Sequence, residues 1–445
     1  MTLETSSLEL LRRALEKLDE GFGNLPDILP EADWAAIETV LTRAAERMRD
    51  NFPYQHPLYA GQMLKPPHPA ARLAYALSLW INPNNHALDG GRASSAMEKE
   101  AVAAIARMFG WTEHLGHLCG GGTMANLEAL WIAGRLKPGK VILGSALAHY
   151  THSRISEVLQ LPFEPVAVDA WGRMDLDALE RRLDRHDAGA VVATLGTTGI
   201  GSVDPLPGIL KLRRQYGFRL HVDAAYGGYF TLAGNLRPET RAAFDCLAEA
   251  DSVVVDPHKH GLQPYGCGCV LFRDPACGRF YKHDSPYTYF SSDELHLGEI
   301  SLECSRAGAS AVALWTTQQL LPMTPGGAFA QGLEKCREAA LALHERLRND
   351  ARFLAAFPPE LDIVIWAPRA GKASEVSALS RRQFEKAAKA NLHLALTRLP
   401  GSLLRPYWRD VEFDEETVAC LRSCLMKPEH LEWLDRIWEI IARTV

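Results

Sequence analysis

Short apolar runs without polar interruption recur through the middle of the chain, at 117–119, 141–144, 165–168, 190–195, 219–222, 252–255 and 269–272. A strand covered on both faces has no polar side, so such runs predict buried strands rather than half-exposed ones. Between them, stretches 123–135, 176–185 and 206–216 repeat their apolar residues at helical spacing. Strands alternating with helices predict an α/β fold built on a mainly parallel sheet of about seven strands.

The flanks carry a different pattern. Leu8, Leu11, Leu15 and Leu18 recur at helical spacing, and 32–49 is a second amphipathic run. Together they predict a helical arm of the kind that packs on another subunit. The stretch 51–69 is proline-rich and 82–91 is rich in Asn and Gly, so both read as irregular connections. Ser94 or Ser95 then caps a helix over 96–109. After Gly308 the chain turns helical, at 309–321 and 327–349. Strand-like runs at 361–366 and 393–398, a helix around 381–390 and a closing helix over 429–444 predict a smaller α+β domain. The expected division is 1–90 for the arm, 91–325 for the large sheet domain and 326–445 for the small one.

Composition narrows the function classes. The 445 residues are 47% apolar and 23% charged with net charge −6, which gives no basic surface for nucleic acid or an anionic membrane. No run of about 18 apolar residues predicts a membrane span, and the N-terminus lacks the basic start and apolar core of a secretion signal. The nine cysteines have neither framework nor zinc-site spacing, so they read as reduced thiols of a cytoplasmic protein.

Four features carry candidate chemistry. Lys259 follows the strand 252–255 and the turn Asp256-Pro257-His258, a place where open α/β sheets put their chemistry. It is either a catalyst or a surface lysine in a strand-to-loop turn. The run Gly120-Gly121-Gly122-Thr123 ends a strand and opens a helix, so its amides and the Thr123 hydroxyl can bind an oxyanion. A tight turn without ligand has the same sequence. His149 stands at another strand-to-helix junction, where an imidazole stacks on a flat ring, moves a proton or caps the helix. Asp223 ends an apolar strand, and a buried carboxylate there needs a cation or strong donors. Small Ala224 and Ala225 leave room beside it for a planar ring. A phosphate site on a helix N-terminus, a carboxylate for a protonated pyridine and a lysine for a Schiff base are together what pyridoxal 5′-phosphate requires.

With these residues in view, the chain from about 82 to 315 resembles the pyridoxal-phosphate-dependent group II amino-acid decarboxylases, with a weaker match beyond. The resemblance rests on Val255-Asp256-Pro257-His258-Lys259, His221-Val222-Asp223-Ala224-Ala225-Tyr226, Ala148-His149-Tyr150-Thr151, Gly121-Gly122-Thr123-Met124-Ala125-Asn126 and Leu195-Gly196-Thr197-Thr198-Gly199, in the family's order. It implies an aspartate-aminotransferase-type fold and a homodimer with active sites at the subunit interface. It also implies Lys259 as the Schiff-base lysine, His258 near the phosphate, Asp223 at the pyridinium and Ala225 under the ring. His149 would stack over the ring, Thr198 would lie near it, and Gly121, Gly122 and Thr123 would hold the phosphate. The implied reaction converts an L-amino acid to its amine and carbon dioxide. Carbon–carbon lyases and decarboxylating oxidases are the alternatives within the same chemistry, and a non-catalytic scaffold is the alternative outside it.

Two departures stand out: Cys119-Gly120 replaces the hydroxyl residues that usually begin the phosphate turn, and His260 follows the lysine, where it would lie close to the Schiff base. In the family the stretch after the lysine strand carries a mobile loop, often contributed across the dimer. Its tyrosine, here Tyr289 or Tyr287, protonates the substrate α-carbon. Arg306 either contacts the phosphate or a substrate carboxylate, or simply starts a helix. Tyr59, Trp80, His86 and Arg306 are candidate linings for the substrate side chain.

Overall fold

The seven apolar runs pair into one sheet in the computed structural model, which describes residues 5–23, 25, 32–282 and 295–445. Strands β1 (Leu115–Cys119), β2 (Val141–Ser145), β3 (Phe163–Val166), β4 (Ala188–Thr194), β5 (Arg219–Asp223), β6 (Ser252–Val255) and β7 (Gly268–Phe272) lie in the order β1-β7-β6-β5-β4-β2-β3. Neighbours from β6 to β3 run parallel, and β7 runs antiparallel to both β6 and β1. Every residue of β2, β4, β6 and β7 is buried, which is why those runs lack alternation. Helix Gly122–Leu136 packs across β5, β6 and β7, seating Ala125, Ala129 and Ile132 against Val254 and Val270. The carboxyl ends of β1, β2, β4, β5 and β6 therefore share one edge, where open α/β sheets form their ligand crevices.

A second sheet gathers β8 (Phe353–Ala355), β9 (Ile363–Pro368), β10 (Ala395–Pro400) and β11 (Thr417–Cys424) in the order β10-β11-β9-β8, antiparallel throughout. The sequence pattern anticipates β9 and β10 but not β11, because Arg422 and Ser423 interrupt its apolar run. Both are nonetheless buried, and Ser423 Oγ accepts the Trp366 indole N–H at 3.0 Å.

The first hundred residues depart further from the expected pattern. Helix Pro69–Ser78 starts at the end of the proline-rich stretch and runs through residues for which no element was expected, with Pro69 in its first turn, where a missing N–H costs nothing. Helix Leu88–Met108 begins earlier than expected and contains a break at Gly91 (φ −170°, ψ 62°). Ser94 is therefore not an N-cap, and its hydroxyl bonds Asn85 and the Gly91 carbonyl. Helices Thr5–Asp19 and Trp34–Met48 form the N-terminal segment. The second buries none of its residues and exposes Trp34, Ile37, Val40, Leu41 and Met48. Among the described residues no helix is long and apolar enough to cross a membrane.

Candidate active site

The strand ends converge on a cavity of about 520 Å³, and all nine described candidates for holding the cofactor line it: Gly121, Gly122, Thr123, His149, Thr198, Asp223, Ala225, His258 and Lys259. Residues more than a hundred positions apart meet there because β1, β2, β4, β5 and β6 end side by side. Tyr287 and Tyr289 lie outside the described residues.

At one end of the cavity the chain leaves β1 and turns into helix Gly122–Leu136. Gly121 sits at φ +150°, a conformation side chains rarely adopt, and a Cβ on it would come 3.2 Å from the His258 ring. A Cβ on Gly122 would come 2.7 Å from Asp256 Oδ2. The glycines therefore keep the first-turn amides of the helix open to an anion. The Cys119 thiol is buried against the Gly121 carbonyl, and Gly120 N–H donates to Glu303 Oε2 at 3.1 Å.

Asp223 ends β5 only 5% exposed. His152 Nε2 lies 2.8 Å from its Oδ2, and the Ala225 N–H donates to Oδ1 at 3.1 Å. Burial by itself would raise the Asp223 carboxyl. The His152 hydrogen bond and charge, the Lys259 ammonium and the Ala225 amide outweigh it and hold the group well below the usual carboxylate range. Behind this pair His221 bridges Asn126 Oδ1 and Ser252 Oγ, and burial together with His152 pushes its pKa down to about 3. Asp223 is thus the ionised member of a buried cluster, and His221 the neutral one. The sequence reading gave His152 no role, although it follows His149 by three positions, in the first turn of helix Thr151–Val158.

His149 faces the cavity with its Nδ1 accepting from the Thr151 amide at 3.3 Å and contacting the Thr151 hydroxyl. Burial lowers its pKa. Those contacts assign its proton to Nε2 in the neutral ring. Lys259 Nζ lies 3.0 Å from Asp256 Oδ2, which also stands 3.5 Å from His258 Nε2. Asp256 is buried, and among the described residues neither its Oδ1 nor His258 Nδ1 has a hydrogen-bond partner. The lysine is therefore held at the cavity floor by an acid that the sequence motif contains but that its reading assigned no role.

His260 sits elsewhere than expected, and Arg306 takes the second of its two readings, just ahead of helix Gly308–Leu320. Arg306 does not reach the cavity: its Nη1 donates to Glu98 Oε1 at 2.9 Å and to the Leu118 carbonyl, an ion pair that ties helix Leu88–Met108 to β1. His260 turns away from Lys259, with Nε2 3.2 Å from Asp362 Oδ2 and its ring edge-on between Tyr226 and Phe230. Tyr59, Trp80 and His86 do not line the cavity either. A different cation comes from the small sheet. Arg422 on β11 donates to the Thr198 carbonyl at 2.9 Å and to Gln62 Oε1 at 2.6 Å.

The residues fit pyridoxal 5′-phosphate. A glycine cradle that a Cβ would fill, an ionised buried carboxylate, and an amine within the same cavity supply its three recognition elements.

Comparison with known proteins agrees. The pyridoxal-dependent decarboxylase conserved domain matches residues 131–367. The chain is 31% identical to a probable L-tyrosine/L-aspartate decarboxylase of Methanoculleus marisnigri, over 67% of this chain and 79% of that one. It is 28% identical to an L-tyrosine decarboxylase of Enterococcus faecium, over 83% and 79%. Among solved structures, that of Oryza sativa TDC with PLP and tryptamine superposes with a TM-score of 0.78 at 18% identity, covering 100% of this chain and 98% of that one. Mouse CSAD in apo form gives 0.77 at 19%, covering 98% and 99%.

Proposed function

The chain belongs to the pyridoxal-dependent decarboxylase family, and from that premise we propose that Lys259 and Asp223 are the central residues of an enzyme converting an L-amino acid to its amine and carbon dioxide. The cofactor, pyridoxal 5′-phosphate, supplies an aldehyde and a pyridine ring that accepts the electron pair of the breaking carboxylate bond. Lys259 would hold the aldehyde carbon, Asp223 the ring nitrogen, and Gly121, Gly122, Thr123 and His258 the phosphate. Ala225, Thr198 and His149 would border the ring.

Each residue's surroundings support its role. Asp223 stays ionised at neutral pH because His152 and the Ala225 amide bond its two oxygens, so it can keep a pyridine nitrogen protonated. His149 keeps a proton at Nε2 and offers it, with its ring, to a substrate carboxylate or the cofactor face. Lys259, whose amine Asp256 holds in the cavity, would be the residue that holds the cofactor's aldehyde carbon, with Asp256 as its partner when that carbon is not bound. The α-carbon then needs a proton donor, a role we assign to Tyr289 or Tyr287.

Residues 91–325 form the cofactor-binding domain in this reading, with 1–90 as a dimerisation arm and 326–445 as the small domain. The apolar face of helix Trp34–Met48, uncovered in the single chain, supports a homodimer, and we place the enzyme in the cytoplasm. The relatives' names put tyrosine and aspartate first among substrates to assay.

The observation that carries the reading is the meeting of Lys259, Asp223 and the glycine turn in one cavity. Borohydride reduction of the loaded enzyme followed by peptide mass analysis tests it. The cofactor mass should fall on the peptide containing Lys259, and labelling at another lysine would refute the assignment.

A further inference from the structure

A second, smaller cavity of about 270 Å³ lies behind the lysine turn, where His260 rather than Lys259 forms part of its wall. Lys65 and Lys427 both line it, and neither makes an ion pair among the described residues. Lys427 is buried and spends one N–H on the Tyr59 carbonyl at 2.6 Å, leaving two donors. Lys65 makes no hydrogen bond at all among the described residues. The acids nearby act on them only through space: Glu429 and Asp362 favour the Lys65 charge and Glu429 that of Lys427, but neither acid forms an ion pair with them among the described residues. Glu429 is on the rim and exposed, and Asp362 is already engaged by the Tyr226 hydroxyl at 2.6 Å and by His260. His260 is buried, and its Nδ1 has no hydrogen-bond partner among the described residues.

Two ammonium groups share one small cavity whose only lining carboxylate among the described residues, the exposed Glu429, forms no ion pair with either, an unfavourable arrangement. Burial pushes both lysines below their ordinary pKa, Lys427 to about 8. The remaining wall is apolar, formed by Leu262, Leu321, Phe329 and Leu333 with Pro66 and Pro67. A ligand that satisfies both parts carries one carboxylate and a compact apolar body.

We infer that this cavity is a binding site for a small monocarboxylate, its carboxylate held by Lys65 and Lys427 and its body packed on Phe329 and Leu333. The carboxylate belongs either to a free small acid or to the side chain of an amino-acid substrate. The site sits one residue from Lys259, and Asp362 links it through Tyr226 to the wall of the first cavity.

Calorimetric titration of the cofactor-loaded enzyme with benzoate, acetate and inorganic phosphate tests the site. Benzoate should bind with one site per chain and more tightly than acetate or phosphate. Lys65→Met and Lys427→Met should each weaken benzoate about tenfold or more, the worth of a hydrogen bond to a charged group, while Lys65→Arg retains binding. Retention of the bound-cofactor absorbance in each variant shows that the fold is intact. Benzoate that competes with an acidic amino acid, together with a raised KM for that substrate in Lys65→Met, assigns the carboxylate to substrate. Binding that leaves KM unchanged assigns it to a free acid. Absent binding, or benzoate binding that survives both methionine substitutions, overturns the inference, and phosphate binding more tightly than benzoate overturns the monocarboxylate assignment.

Discussion

His152 Nε2 stands 2.8 Å from Asp223 Oδ2, inside the core and away from solvent. The contact turns a carboxylate that burial would neutralise into one held ionised, and it comes from the first turn of helix Thr151–Val158, three positions after His149. His152 touches neither cofactor nor substrate in the proposed arrangement, so it acts through Asp223 as a positioning residue.

Replacing it separates that role from simple packing. His152→Ala should lower turnover about ten- to a hundredfold, the range expected for losing a hydrogen bond to a charged group. The Asp223 carboxyl would then rise towards its ordinary range, so the acid limb of the pH–rate profile should move to higher pH. A uniform loss with an unmoved acid limb would mean that His152 only fills space.

Gly122 is required by proximity rather than by backbone conformation. In Gly122→Ala the new methyl meets Asp256 Oδ2 at 2.7 Å. Overpacking of this kind costs about 1–3 kcal/mol. The cost should appear as weaker cofactor binding in a titration of apo-enzyme, because the clash lies in the phosphate turn.

Arg422 connects the small sheet to the Thr198 loop through two different guanidinium nitrogens. A lysine offers one point charge and cannot span both partners. Arg422→Lys and Arg422→Met should therefore both raise KM, and wild-type kinetics in Arg422→Lys would show that the fork is dispensable.

Acid should destabilise the protein from near neutrality. Burial pushes His221 and His430 down to about 3 and His344 down to about 4. The folded chain keeps them uncharged, while the unfolded chain binds protons below about pH 6.5. Their unfavourable contribution is thus absent at pH 7 and grows as pH falls from about 6.5 towards those values. Asp223 works in the acid range: its low folded pKa stabilises the native state above about pH 4, and that contribution is lost as pH falls further. Denaturant unfolding at pH 7 and pH 5 should show the loss, and His344→Gln should reduce it.

The sheet was legible in the sequence because its strands are covered on both faces, which writes them as unbroken apolar runs. The site was legible where its residues stand at strand ends: Asp223, Lys259, His149 and the glycine turn are all of that kind. What escaped has specific causes. Strand β11 carries Arg422 in its interior because a carbonyl from another part of the chain satisfies it, and no local pattern shows that. His152 looks like any polar helix residue until the fold brings β5 beside it. His260 adjoins Lys259 in sequence, yet the turn aims the two side chains into different surroundings, towards the cofactor cavity and towards Asp362.

The central claim is best tested by product balance. The cofactor-loaded enzyme, given a panel of L-amino acids that includes tyrosine and aspartate, should release carbon dioxide and the matching amine in equal amounts from at least one of them, and Lys259→Ala should release neither. Carbon dioxide accompanied by aldehyde and ammonia instead of amine, or undiminished turnover in Lys259→Ala, would contradict it.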